Sequence, residues 1–346
     1  MPAKNPRKSF LPIVSSVLAD GVFVELLFDR EDRHTWFAVW DKGRWRYEDV
    51  FENAGQTFVP LSPDNALLDH DVVLFPRAPS EYGSHDQLIN DIRSYIRRYV
   101  DLPEGFETIA IHYVILTWVY DCFNELPYLR VRGDYGSGKT RFLQTVGAIC
   151  YRPMFVSGAS TVSPIFHLLD TLRGTLVLDE ADFRFSDEKA ELVKILNNGN
   201  VRGMPVLRAQ LSRQRDFEPR VFNVFGPKII AMRTRYEDEA LESRFLTGEF
   251  GDKQLDKNMP LNLPQTYREE ALGLRNKLLM YRFRNWGRYK LADQFRIKGM
   301  TPRLNQILAP LLAVAEDGGM HDEIIDFVKH MGQKRTRGCH FDSEPL

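Results

Sequence analysis

Eight consecutive residues, Gly133-Asp134-Tyr135-Gly136-Ser137-Gly138-Lys139-Thr140, match the spacing G-x-x-x-x-G-K-[ST] without exception. Glycines at such a turn let successive backbone N–H groups curl around an anion with no Cβ in the way. A helix that opens after Gly138 directs its positive end at the same anion. Lys139 can reach the outer phosphates of a nucleoside triphosphate, and the Thr140 hydroxyl is placed to ligate Mg²⁺. With Arg141 on the first helical turn, Gly133 to Arg141 form the candidate nucleotide-binding segment. A short strand ahead of the loop and an apolar-periodic helix behind it (Phe142, Leu143, Val146, Ile149) supply the context that a chance match lacks.

The second group is Thr175-Leu176-Val177-Leu178-Asp179-Glu180, an apolar strand ending in two carboxylates about 40 residues after Lys139. A buried strand in a parallel sheet exposes its C-terminal end at the crevice where ligands sit. Asp179 is the candidate Mg²⁺ ligand alongside Thr140, and Glu180 the candidate base that polarises the attacking water. A glutamate in that position points to ATP hydrolysis of the motor type rather than to a small GTPase.

The elements that must hold these groups alternate. Leu129–Arg132, Met154–Ser157, Thr175–Asp179, Lys228–Met232 and Phe245–Phe250 read as strands with helices between them. That pattern implies a parallel sheet covered on both faces. Ahead of it, residues 10–76 are rich in β-branched and aromatic runs (Val22–Phe28, Trp36–Trp40, Arg44–Phe51, Thr57–Leu61). Trp36, Trp40 and Trp45 fall there, as core rings or, alternatively, as a platform for stacking bases. Pro76 to Gly83 reads as a linker. Helical periodicity begins at Asp86, and a second helix is expected over Glu107–Phe123. After Pro264 helices return at Tyr267–Trp286, Arg303–Glu316 and His321–Met331, and the polar tail from Gln333 is expected to fray.

Composition sets outer limits. With 46 Lys+Arg against 47 Asp+Glu, the net charge is −1, which excludes a chain that coats nucleic acid by bulk positive charge. A local patch remains open: Arg202, Arg208, Arg213, Arg215 and Arg220 cluster between Asn200 and Arg220. Three dispersed cysteines argue against a disulfide framework or a structural zinc site. The polar N-terminus reads as no signal peptide. The most apolar stretch, Ile109–Tyr120, falls short of the roughly 20 residues that span a bilayer. A soluble, cytoplasmic protein with no membrane partner is the expectation.

The two motifs together resemble the Walker A and Walker B elements of AAA+ ATPases. The likeness extends over roughly Asp86 to Met331 and is nearest to helicase-like members from phages and mobile elements, of the MCM and superfamily III plan. It implies an α/β fold: a P-loop parallel-sheet core over 84–252, a helical C-terminal lid over 253–333 and a polar tail over 334–346. Residues 1–80 then form a small β-rich N-terminal domain. The likeness also implies ATP and Mg²⁺ as cofactors, assembly into a homo-oligomeric ring such as a hexamer, and further site residues. Thr234 stands where the family carries its polar sensor-1 residue at the end of the fourth strand, with Arg233 as the alternative. Arg244 ends Glu239-Ala-Leu-Glu-Ser-Arg244 in the place of an arginine finger that reaches a neighbour's γ-phosphate. Arg303, after Thr301-Pro302, takes the place of the lid arginine, sensor 2.

The basic segment reads as a hairpin, with strands over Pro205–Ala209 and Arg220–Phe225, inserted ahead of sensor 1. In such helicases a hairpin of this kind grips DNA, and here Arg208, Arg213 and Arg215 would meet the phosphate backbone. A solvated loop or a surface between subunits is the competing reading. Two functions follow: a DNA-directed helicase or replication-initiation ATPase, or a protein-remodelling ATPase with a partner bound at the N-terminal domain.

Overall fold

The computed structural model describes residues 10–19, 21–179, 186–211, 217–251, 259–289 and 295–338. Glu180, Arg213 and Arg215 lie outside these. Seven strands come first: β1 (Phe10–Pro12), β2 (Ser15–Val17), β3 (Phe23–Asp29), β4 (His34–Asp41), β5 (Arg44–Glu48), β6 (Phe51–Asn53) and β7 (Gln56–Val59). β2-β3-β4-β5 form an antiparallel sheet, and β1-β7-β6 a smaller one. The run expected as one strand over Arg44–Phe51 is two, because the chain leaves one sheet after Glu48, which pairs with Phe37, and enters the other at Phe51, which pairs with Phe58. A short helix α1 (Ala66–Asp69), capped by Asn65, was not signalled by periodicity.

Helix α2 (His85–Tyr99) is capped by Ser84, whose side chain accepts from Gln87 N. Helix α3 (Phe106–Trp118) is buried along its whole length except at Glu107, which pairs with Arg97. It ends earlier than Phe123: Val119 N bonds back three residues to Leu116 O, and a 3₁₀ turn over Tyr120–Cys122 follows.

The central sheet comprises β8 (Tyr128–Arg132), β9 (Met154–Ser157), β10 (Leu176–Asp179), β13 (Lys228–Met232) and β14 (Phe245–Glu249), within one residue of the expected ranges. All neighbours are parallel, in the order β14-β8-β13-β10-β9. α4 (Lys139–Ala148), α5 (Val162–Leu172), α6 (Ser186–Asn198) and α7 (Glu239–Glu242) connect them. β11 (Val206–Leu211) and β12 (Phe217–Phe222) form the antiparallel hairpin ahead of β13. Its second arm sits three residues before the expected Arg220–Phe225. The apolar Val224 and Phe225 are buried as a loop instead, where the Asn223 side chain accepts from Phe225 N.

Strand alternation assigns the two faces. Leu129, Val131, Val177, Ile229, Ala231 and Leu246 join a core built with α2, α3, α4 and the later helices α8 (Thr266–Asn285), α9 (Pro302–Val314) and α10 (Gly318–Gly338). Tyr128, Leu176, Leu178, Ile230, Met232 and Phe245 face α5 and α6. Helix α9 opens as its Thr301-Pro302 start signal implies, with Thr301 Oγ accepting from Leu304 N. Where the tail was expected to fray from Gln333, α10 runs on to Gly338. No helix among the described residues is long and apolar enough to cross a membrane.

The N-terminal strands share these cores. Phe23 and Leu27 of β3 lie in the first and Val24 and Leu26 in the second. Trp40 stacks on Phe283 of α8 at 5.3 Å, so it serves as packing. Glu25 of β3 is only 2% exposed and accepts from Arg152 Nη2 (2.5 Å), Arg282 Nε (2.9 Å) and Tyr151 Oη (2.9 Å). Arg282 of α8 also forks onto Asp121, with both bonds at 2.7 Å. Burial opposes the charge on Arg282, but the Asp121 and Glu25 carboxylates outweigh it and hold its pKa well above the ordinary arginine value. One buried carboxylate thus ties the N-terminal sheet to the P-loop unit and to α8.

Candidate active site

Strand β8 delivers the phosphate loop. Its last residue, Arg132, pairs in register with Glu249 of β14 and Met232 of β13, so Gly133 emerges at the carboxyl edge between them. A Cβ on Gly133 would lie 2.2 Å from the Phe250 carbonyl, and Gly136 and Gly138 have φ of +74° and +91°. These glycines are required by close approach and by left-handed backbone. Ser137 Oγ donates to Asp134 O at 2.8 Å, and Lys139 Nζ donates to Gly133 O and Asp134 O, each at 2.6 Å. α4 starts at Lys139, directly behind Gly138.

Thr140 Oγ1 donates to Asp179 Oδ2 at 2.8 Å. Residues almost 40 positions apart in the chain therefore share one oxygen-lined spot at the loop's mouth. Among the described residues no group of three or more His, Cys, Asp or Glu could hold a metal by itself. Thr140 and Asp179 supply two hard oxygens, a donor set suited to Mg²⁺ shared with phosphates.

The end of β13 meets the same loop. Met232 is level with Arg132, and the Arg233 guanidinium lies 3.6 Å from the centroid of the Tyr135 ring. Thr234 follows, exposed. Arg141 donates to the carbonyls of Pro260 and Leu261, which fixes the start of the C-terminal segment beside the loop. Between them a small cleft is lined by Val100, Leu102, Pro103, Ser137, Phe250 and Met259.

Arg244 and Arg303 are brought together elsewhere. Arg244 O accepts from Tyr128 N at 2.9 Å, at the amino end of β8, whereas the phosphate loop leaves the carboxyl end. The length of the strand, on the order of 15 Å, separates Arg244 from its own chain's loop. Arg244 Nη1 donates to Asn197 Oδ1 and to Ala240 O. Arg303 Nη1 donates to the same Ala240 O at 3.0 Å and to Ser243 Oγ at 3.2 Å. Among the described residues neither guanidinium forms a salt bridge. Burial and then the nearby Arg303 charge lower the Arg244 pKa.

In the hairpin, Arg208 turns inward: its guanidinium sits 4.7 Å over the Phe166 ring and bonds Glu191 at 3.1 Å. The opposite face presents Leu207 and its cross-strand partner Val221, 64% and 56% exposed, with Met204 nearby.

Sequence reasoning missed the Tyr135–Arg233 stack, the Asn197 support of Arg244 and the cleft beside the loop. Tyr135 was visible only as a variable position of the motif, and Pro103 only as a helix breaker. Asn197 is contributed by a different helix and carried no signal.

No protein-family profile matches this chain, and no curated protein matches it either. Among solved structures it is similar to the apo NrS-1 C terminal region, at 12% identity and TM-score 0.34, covering 88% of this chain and 71% of that one. It is similar to JCV Helicase at 15% identity and TM-score 0.30, covering 72% and 61%. A full-length MCM homolog from Methanopyrus kandleri gives 13% identity and TM-score 0.43, covering 85% and 68%. These TM-scores are too low for any of the three to bear on what this chain does.

Proposed function

We propose that this chain is an ATP-hydrolysing, Mg²⁺-dependent motor of the AAA+ type that assembles into a ring and acts on DNA. The observation that carries the reading is the 2.8 Å bond between Thr140 and Asp179 at the mouth of the glycine loop. The loop N–H groups and Lys139 bind the phosphates, the cleft beside Phe250 and Pro103 takes the base, and Thr140 and Asp179 hold the metal. Mg²⁺, when bound with the nucleotide, neutralises charge on the outer phosphates. Glu180, next in the chain after Asp179, polarises the water. Arg244 and Arg303 lie too far from their own loop to serve it, and both act on the site of a neighbouring copy, where a guanidinium stabilises the charge that builds on the transferred phosphoryl group.

Nucleotide binding and turnover test the core of this reading. Lys139→Ala should lose nucleotide binding. Glu180→Gln should keep binding and lose turnover. Equal loss of binding in both contradicts the role given to Glu180.

In this reading DNA is the substrate, met through the basic segment, with Arg213 and Arg215, which lie outside the described residues, on phosphates. The exposed apolar pair Leu207 and Val221 favours a second reading, a motor whose hairpin grips protein. Titration of a labelled single strand at several salt concentrations separates them. A DNA motor binds, and loses a log–log slope of roughly 0.7–0.9 for each phosphate contact removed. A protein remodeller has no slope to lose.

A further inference from the structure

We infer that Arg141 is a positioning residue of the base cleft and not a phosphate ligand: it clamps the chain at Pro260 and Leu261 and thereby holds Met259, one wall of that cleft, beside the phosphate loop. The inference rests on the ATPase reading above, in which the cleft takes the base.

The direction of the side chain comes first. α4 opens at Lys139, whose ammonium turns back onto the loop carbonyls, and Thr140 reaches Asp179. An α-helix turns about 100° per residue, so Arg141 leaves α4 on a side that neither of them uses. Its guanidinium donates through Nη1 to Pro260 O at 2.5 Å and through Nη2 to Leu261 O. Both ends of the fork are thus engaged by neutral backbone oxygens, 119 and 120 positions along the chain.

The sequence around those carbonyls decides what the clamp holds. Met259 directly precedes Pro260 and lines the cleft, together with Pro103, Gly138, Phe250 and Arg141 itself. Proline fixes its own φ and confines the residue before it to extended backbone, so a stiff link joins Met259 to the two clamped carbonyls. Leu261 is 78% exposed, so packing of its side chain does not anchor this turn. Removing the guanidinium frees the wall and leaves the loop N–H groups, Lys139 and Thr140 in place.

Ligand chemistry separates the two roles. A phosphate ligand contributes to the binding of every polyphosphate, with or without a base. A clamp on the cleft wall contributes only where a base lies against Met259.

Equilibrium binding of a non-hydrolysable Mg²⁺-ATP analogue and of Mg²⁺-tripolyphosphate, which has no base, to the full chain tests this. Arg141→Ala should weaken the analogue about tenfold, the low end of the cost of an apolar group missing from a pocket, and leave tripolyphosphate within about twofold. Met259→Ala, which removes no hydrogen bond of the clamp, should show the same pattern. The double variant, a readout that needs the analogue alone, should bind within about twofold of the weaker single variant, because both changes remove the same wall. The inference is overturned if Arg141→Ala weakens the analogue and tripolyphosphate by the same factor, if it weakens neither, or if the effects of Arg141→Ala and Met259→Ala multiply. A parent chain that binds neither ligand overturns the ATPase reading and this inference together, whereas a parent that binds the analogue, with the wrong variant pattern, overturns this inference alone.

Discussion

Two of the arginine pairs that converge on a shared partner, Arg152 with Arg282 and Arg244 with Arg303, differ in what answers their charge. Arg152 and Arg282 are at most 2% exposed and share Glu25, with Asp121 completing a cluster of two cations and two anions. Arg244 and Arg303 share a carbonyl, Ala240 O, to which Asn197 adds an amide oxygen for Arg244 and Ser243 a hydroxyl for Arg303. Burying unanswered charge is costly, so the first pair exists only because its carboxylates came with it. The second pair crowds two like charges with amide, hydroxyl and carbonyl partners in direct contact, Arg244 being 8% exposed with the Asp238 carboxylate near enough to favour its charge. That arrangement suits an anion arriving from outside the chain. Arginine count is therefore no guide to role; the counter-charge is.

The largest effect should come from the unanswered pair. Arg244→Ala should lower kcat for ATP by roughly 10³-fold or more, the scale of an arginine supplied in trans. Its stability should fall by only about 1–3 kcal/mol, the scale of leaving Asn197 and Ala240 O without their donor. A steady-state assay and a denaturant titration on the same preparation check both halves. A large loss of stability with a small loss of kcat would move Arg244 into the structural class.

Glu25→Ala should show the opposite profile. It strands the buried Arg152, leaves Arg282 with Asp121 alone, and should cost about 3–5 kcal/mol of unfolding free energy, read from the denaturant midpoint. Nucleotide affinity of the fraction that folds should be that of the parent.

Another buried cation sharpens the contrast. Among the described residues Lys228 has no carboxylate partner; its ammonium donates to the carbonyls of Gly199, Val224 and Gly226 and lies 4.9 Å over the Tyr128 ring. Burial pushes it down to about 7. An ordinary lysine in the unfolded chain titrates near 10.4, so between the two values the unfolded state binds more protons. Stability should rise with pH across that window, by at most about 1.4 kcal/mol per pH unit. Lys228→Met should flatten this part of the profile, and an unchanged slope in the variant would assign it to other groups.

The smallest effect should come from Arg208→Ala. Its guanidinium is occupied by Glu191 and Phe166, and a half-exposed pair of this kind contributes about 0–1 kcal/mol. Single-strand DNA affinity and its salt slope should stay within about twofold of the parent.

The chemistry at the phosphate loop was legible because a single contiguous segment, Gly133 to Thr140, encodes both its turn and its ligands. The apolar strand ending in Asp179 was legible by the same logic, and parallel alternation gave the central sheet to within a residue. What was not legible depends on residues brought together from distant elements. No local pattern distinguishes Arg282, which meets Glu25 across 257 positions, from any other arginine of α8. Arg208 reads from sequence as one of a basic cluster, and only the packing of the hairpin on α5 and α6 turns it inward. Arg244 and Arg303 each had a motif-level signal, but their meeting at one carbonyl is a product of how α9 docks.

The central claim, a site completed by a second copy, is tested most directly by mixing two inactive variants. Arg244→Ala keeps its own loop and Glu180, and Glu180→Gln keeps its arginines. At the proposed interface between them the loop and base of one copy would face the arginines of the other. The mixture should recover a fraction of parental ATPase activity that neither variant shows alone, rising with protein concentration. A mixture as inactive as its components, or a parent whose specific activity is independent of concentration and which remains monomeric with nucleotide, would contradict the account.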